Sequence, residues 1–112
     1  MTASPLTPLS LHILLSLVPS SSHGYGILKR IEERFGGGEA PSTGALYLAL
    51  QRLEREGLIE LDPSPPAEAD ARRRYWALTP GGREAARAEL DRMELLLADE
   101  AVRLLRGGGR GV

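Results

Sequence analysis

The sequence predicts a mainly α-helical fold with one small two-stranded β element, and three observations carry that prediction. Three segments with apolar residues at helical spacing succeed one another before Gly57. Two short apolar or aromatic runs, Leu58–Asp62 and Arg74–Leu78, then flank a Pro- and Ala-rich stretch, as two antiparallel strands and a long loop would. A last segment, opening at Thr79-Pro80, sustains an apolar stripe as far as Arg106.

The first helix is expected over roughly 8–18, where Leu11, Leu14, Leu15 and Val18 recur on one side. Pro19 ends it, because proline disfavours the α region in the residue before it. The second runs from Gly24 to Phe35, with Ile27, Leu28, Ile31 and Phe35 on one face, and Gly36-Gly37-Gly38 stops it. The third opens at Pro41-Ser42-Thr43, where Ser42 or Thr43 can accept a hydrogen bond from a first-turn N–H. Gly57 closes it as a C-cap. Within Ser42–Glu56, Leu46, Ala49, Leu50 and Leu53 form an inward stripe, and Gly44, Leu48, Gln51, Arg52 and Arg55 lie opposite.

Thr79-Pro80 supplies a hydroxyl N-cap and a proline at the first helical position for the final helix. One helix from there to Arg106 is about 40 Å long at 1.5 Å per residue, more than a small domain covers. Its apolar stripe, Ala85, Ala86, Leu90, Met93, Leu96, Leu97, Val102 and Leu105, therefore calls for a partner. The expected division is a winged helix-turn-helix over residues 1–79, a C-terminal dimerisation helix over 80–106, and a disordered tail over 107–112. No internal repeat is evident.

Composition narrows the function. At 112 residues with 42% hydrophobic content, one domain with a modest core is expected. The absence of cysteine removes disulfides and thiolate metal sites, and His12 and His23 alone make no convincing metal site. No cofactor is expected. The N-terminus lacks the basic start of a signal peptide, and the apolar stretch Leu9–Val18 is too short to span a bilayer, so a cytoplasmic location without membrane association is expected. The net charge of −1 hides a segregation. Residues 71–83 carry Arg72, Arg73, Arg74 and Arg83 and no acid, whereas 84–106 carry six acids against four arginines.

Three helices followed by a two-stranded wing put chemistry where DNA recognition needs it. The third helix is expected in the major groove, with its N-terminal amides and the Ser42 and Thr43 hydroxyls facing a phosphate. Gly44 permits close backbone approach, Tyr47 can bond a phosphate or pack on sugar, and Gln51 and Arg52 can reach base edges or backbone. Arg72, Arg73 and Arg74 on the wing are expected near the adjacent minor groove or its phosphates. For Tyr47 the competing reading is half-buried packing, and for the arginine run a solvated loop edge. Tyr25 and Trp76 are read as core or interface packing, and the Gly24-x-Gly26 fragment as a helix start rather than a dinucleotide fingerprint.

Four stretches in register carry a more specific resemblance. They are Gly24-Tyr25-Gly26-Ile27-Leu28-Lys29-Arg30-Ile31; Ser42-Thr43-Gly44-Ala45-Leu46-Tyr47 with Leu50 and Arg52-Leu53-Glu54; Gly57-Leu58-Ile59; and Arg73-Arg74-Tyr75-Trp76-Ala77-Leu78-Thr79-Pro80-Gly81-Gly82-Arg83. Together, over about residues 8–90, they resemble the PadR family of bacterial transcriptional regulators. The resemblance implies a dimeric winged helix, with the first and last helices building the dimer, that represses nearby genes and is often released by a small molecule. On this reading Leu11, Leu14, Leu90, Met93, Leu97 and Val102 are the dimerisation residues. Tyr47 corresponds to the family's recognition-helix tyrosine and Arg73-Arg74-Tyr75 to the second wing strand. Leu48 stands where many members carry proline, which implies different contacts from the middle of that helix. No aromatic occurs between Glu84 and Val112, so stacking of flat drugs on the last helix is not expected.

The expected function is thus a homodimeric repressor on an inverted-repeat DNA operator. An apolar effector, where one exists, is expected between the C-terminal helices and the first helix, near Met93. The alternative is a winged-helix protein-interaction module that never touches DNA, which the near-neutral net charge favours. An enzyme is not expected, since no nucleophile–base set, metal cluster or phosphate loop is present.

Overall fold

A computed structural model describes residues 6–34, 40–67, 70 and 72–108. The elements follow the order α1 (Pro8–Ser16), α2 (Gly24–Arg34), α3 (Thr43–Arg55), β1 (Ile59–Leu61), β2 (Trp76–Leu78), α4 (Pro80–Leu97) and α5 (Glu100–Gly108). This is a winged helix-turn-helix extended at its C-terminal end. Phe35 and the three glycines expected to stop α2 lie outside the described residues.

Helix α1 is the hub, packed against α2, α3 and α4. Its sequence is apolar nearly all round, which suits a helix surrounded by others. Thr7 caps its start, accepting from the Ser10 N–H at 3.1 Å, and Pro8 fills the first turn. Its C-terminal end has no basic residue of its own. Two arginines of α2 supply the missing donors: Arg30 Nη1 reaches the Ser16 carbonyl (2.6 Å) and Arg34 Nη1 the His12 carbonyl (3.3 Å). Carbonyls left over at a helix end need such partners, and positive charge there also opposes the helix dipole favourably. Leu11 and Leu14, expected at a dimer interface, are instead buried within this core.

Helix α3 shows how local sequence fixes a boundary at each end. Ser42 is the N-cap, its Oγ accepting from the Ala45 N–H at 3.1 Å. At the other end Gly57 adopts φ +78°, with its N–H bonded to the Glu54 carbonyl and the Leu58 N–H to the Leu53 carbonyl, both at 3.0 Å. That pair of bonds is a Schellman cap, which needs a left-handed residue at the glycine position. Leu46, Ala49, Leu50 and Leu53 enter the core with Ile13, Leu14, Ile27, Ile31 and Ile59.

The wing is antiparallel, pairing Ile59 with Leu78, Glu60 with Ala77 and Leu61 with Trp76. A contact that sequence reading missed extends it: Ser22 makes a one-residue antiparallel bridge to Trp76, with N–H to carbonyl bonds of 3.1 and 2.8 Å. Ser21 Oγ also donates to Asp62 Oδ2 at 2.6 Å. The turn between α1 and α2 is thereby bound to the sheet, and Trp76 is buried beneath it.

Helix α4 is fastened to the end of α3. Thr79 Oγ1 accepts from the Gly82 N–H (2.9 Å) and donates to the Gly57 carbonyl (2.7 Å). A Cβ on Gly82 would collide with the Leu58 carbonyl oxygen, so this close approach requires glycine. The expected single helix to Arg106 is in fact two. Ala98 ends α4, and the Asp99 carboxylate accepts from the Ala101 N–H at 3.0 Å, starting α5 as an N-cap. The apolar stripe runs through this break, so periodicity alone did not reveal it. Gly107 and Gly108, expected in a disordered tail, belong to α5, and residues 109–112 lie outside the described residues.

Candidate nucleic-acid interface

At 100° per residue, the core-facing stripe of α3 fixes its opposite face as Gly44, Leu48, Gln51 and Arg55. All four are exposed, Leu48 by 70%, and a Cβ on Gly44 would meet nothing within 4 Å. Among the described residues neither Gln51 nor Arg55 is held by a hydrogen bond or ion pair, so their donors are available. Ser42 and Thr43 sit at the N-terminal end of this face, both exposed. The Ser42 oxygen is occupied as a cap acceptor, but its O–H proton can still be donated to an anion.

Two expected residues lie on the flanks of that stripe, on opposite sides. Tyr47 is 45% exposed, and its ring leans over Gly24 at the start of α2, where any Cβ would strike the phenol. Arg52 leans the other way, donating from Nη2 to Ser10 Oγ of α1 at 3.2 Å. Its backbone position is exposed, yet its guanidinium is directed to the hub helix rather than along the outward stripe. Arg55, one helical turn beyond Gln51, is the arginine that stripe presents. The 3.6-residue spacing from Gly44 through Leu48 and Gln51 was the signal for it.

The three wing arginines have different environments. Arg72 is paired with Asp70: its backbone N–H donates to Oδ1 (2.9 Å) and its side chain reaches both carboxylate oxygens at 3.3 Å. Those bonds, the backbone one foremost, hold the Asp70 pKa below the usual carboxylate value. The basic run is therefore partly neutralised by the acid just before it. Arg73 Nη1 lies 3.0 Å from Nδ1 and 2.9 Å from Nε2 of His23. Arg74 is exposed and has no hydrogen-bond or ion-pair partner among the described residues.

His23 is a junction that sequence reading weighed as a metal ligand and set aside. The Gly26 N–H donates to its Nδ1 at 3.0 Å, so Nδ1 carries a lone pair. Burial first, then the Arg73 and Arg30 guanidinium groups, lower its pKa, against an opposing pull from Asp70. Its ring meets Tyr75 edge-on (5.3 Å between centroids) and stacks beside Tyr25 (6.4 Å). Tyr25, expected in core or interface packing, is 58% exposed. Together His23, Gly24, Tyr25, Tyr47, Arg72, Arg73, Arg74 and Trp76 line an open concavity of about 400 Å³ between α2, α3 and the wing.

The second apolar surface lies far along the chain. On α4 the stripe that buries Ala86 continues into exposed Leu90, Met93 and Leu97, and on α5 Leu104 and Leu105 are 67% and 81% exposed beside half-buried Val102. No helix among the described residues is long and apolar enough to cross a membrane, and no cluster of three metal-ligating side chains occurs among them.

Comparison with known proteins agrees with this geometry. The transcriptional regulator PadR-like family matches residues 13–88, which include α3 and both strands of the wing. An uncharacterized 37.1 kDa protein in a transposon from Streptomyces fradiae is 38% identical over 84 residues, covering 75% of this chain, and the chain spans only 22% of that protein's length. Among solved structures, a PadR family transcription regulator from Clostridium difficile superposes with a TM-score of 0.67 at 27% identity, covering 90% of this chain and 100% of that one. Bacillus subtilis PadR, solved with operator DNA, shares the fold with a TM-score of 0.62 at 23% identity, over 75% of this chain and 47% of its own. The four stretches that suggested the resemblance all fall within the matched region, and the chain belongs to the PadR-like family of transcriptional regulators.

Proposed function

We infer that this regulator acts as a homodimeric repressor on an inverted-repeat operator. The observation that carries the reading is the outward face of α3, where Gly44, Leu48, Gln51 and Arg55 stand exposed beside an unpaired Arg74 on the wing. Leu48 suits a thymine methyl group, and Gln51 and Arg55 carry the donors that read base edges in the major groove. Ser42, Thr43 and Tyr47 face the flanking backbone, and Arg73 and Arg74 reach the neighbouring phosphates or minor groove. The Bacillus subtilis neighbour was solved with operator DNA, which supports duplex DNA as the partner.

Dimerisation is assigned to Leu90, Met93 and Leu97 of α4 with Val102 of α5, continued by Leu104 and Leu105. A two-fold pair built there presents two α3 helices about one turn of DNA apart. An apolar effector fits best in a cleft formed when two such arms meet near Met93, with no aromatic side chain available there for stacking. DNase footprinting of the DNA upstream of its own gene tests the reading. Protection of an inverted repeat with half-site centres about 10 base pairs apart, or a multiple of that, is expected. Absence of any protected repeat, with no salt-sensitive duplex binding, would favour the protein-interaction module instead.

A further inference from the structure

We propose that the concavity between α2, α3 and the wing is a seat for one backbone phosphate of the duplex, in which Tyr25 is a direct contact and His23 a positioning residue for Arg73. The proposal rests on the DNA-binding reading and adds two residues to it. Tyr25 and Tyr47, both exposed, line a hollow together with Arg72, Arg73 and Arg74, with His23, Gly24 and Trp76 completing it. Phenol O–H groups and guanidinium donors converging on one hollow suit a phosphodiester, which offers acceptors only. Gly24 between them leaves the Tyr47 ring its place, since a side chain there would displace it.

His23 links the two walls of the hollow. Its Nδ1 caps the first turn of α2 by accepting from Gly26, and Arg73 Nη1 lies against both ring nitrogens, 3.0 Å from Nδ1 and 2.9 Å from Nε2. Arg73 comes from a stretch that is otherwise loop, where a guanidinium has many rotamers to lose on binding. Holding it against His23 before DNA arrives lowers that cost, and Arg73 keeps further N–H donors for a phosphate. Arg74 has no such tether, so the two adjacent arginines differ in preorganisation rather than in charge.

Phosphate contacts are independent of sequence, so a fluorescein-labelled duplex of mixed sequence at low salt is the probe, read by anisotropy. Tyr25→Phe is expected to weaken binding about threefold to tenfold with an unchanged salt slope, because it removes a neutral donor and no charge. Arg73→Ala is expected to lower the slope by about one. His23→Asn keeps an N-cap acceptor for Gly26 but is too short to hold Arg73, so its loss of affinity should vanish in the Arg73→Ala background. Melting curves for each variant establish that it is folded.

Equal affinity of Tyr25→Phe and wild type would overturn the seat, and an undiminished His23→Asn effect without Arg73 would overturn the positioning role. Wild-type protein that binds no duplex at any salt would remove the DNA-binding reading together with both. Replacing chloride by inorganic phosphate at equal ionic strength separates the two sources of a phosphate group. Unchanged duplex affinity supports the duplex as occupant, and a phosphate-specific competition lost in Tyr25→Phe would give the seat to a free anion and overturn the proposal.

Discussion

The inward stripe of α3 and the late stripe of α4 and α5 are built from the same residues at the same helical spacing, yet one is fully enclosed and the other bare. Leu46, Leu50 and Leu53 are buried by α1, β1 and α2, whereas Leu97, Leu104 and Leu105 face outward. The difference is one of supply: the hub helix α1 provides apolar surface for α2, α3 and the start of α4, and nothing among the described residues provides it for the rest. A pattern of leucines thus reports that a helix face will be covered, not by which chain. The winged head closes its own core, and the C-terminal arm leaves a stripe that a second copy would cover.

The largest effect that tests this contrast is in the head. Leu50→Ala, a fully buried truncation, should lower unfolding stability by about 3 kcal/mol or more in chemical denaturation. Leu97→Glu in the arm should leave the head folded by circular dichroism while shifting sedimentation from dimer to monomer. If it unfolded the protein without changing its association state, the arm would belong to the core after all. Gly82→Ala probes the joint between the two regions. Its Cβ meets backbone rather than a flexible side chain, and a loss of about 2 kcal/mol is expected.

Acid should act on the head, and more weakly. Burial, then the nearby Arg34, lowers the pKa of His12, and burial with Arg73 and Arg30 lowers that of His23, both from 6.5. Each therefore folds as the neutral ring, and its contribution is complete above 6.5 and lost as pH falls through the depressed folded value. Melting temperature should be flat from about pH 8 to 7 and fall below 6.5, with a smaller fall in His23→Asn. A melting temperature that rose on acidification would reverse the assigned protonation states.

Much of this arrangement was legible in the sequence because it depends on local chemistry. Pro41-Ser42-Thr43 and Gly57 bound α3 through hydrogen bonds within a few residues, and Thr79-Pro80 starts α4 in the same way. The Ser22–Trp76 bridge was not legible, since a single residue pair has no periodicity and its partner lies far along the chain. Asp99 was a signal in principle, but the unbroken apolar stripe outweighed one capping residue. At the interface, spacing identified the outward face correctly and placed Arg52 on it too generously. Its place on the flank and the reach of its guanidinium to Ser10 distinguish it from Arg55. The arginine run was visible as charge, whereas the pairing of Arg72 with Asp70 and of Arg73 with His23 depends on how the loop folds back.

That inequality among the wing arginines gives the most direct test of the central claim that α3 and the wing grip DNA together. The measurement is the slope of log affinity against log salt for a duplex, in wild type, Arg74→Ala and Arg72→Ala. Arg74→Ala is expected to reduce the slope by about one, and Arg72→Ala, already neutralised by Asp70, by clearly less. Slopes identical in all three proteins would take Arg74 off the DNA and contradict the account.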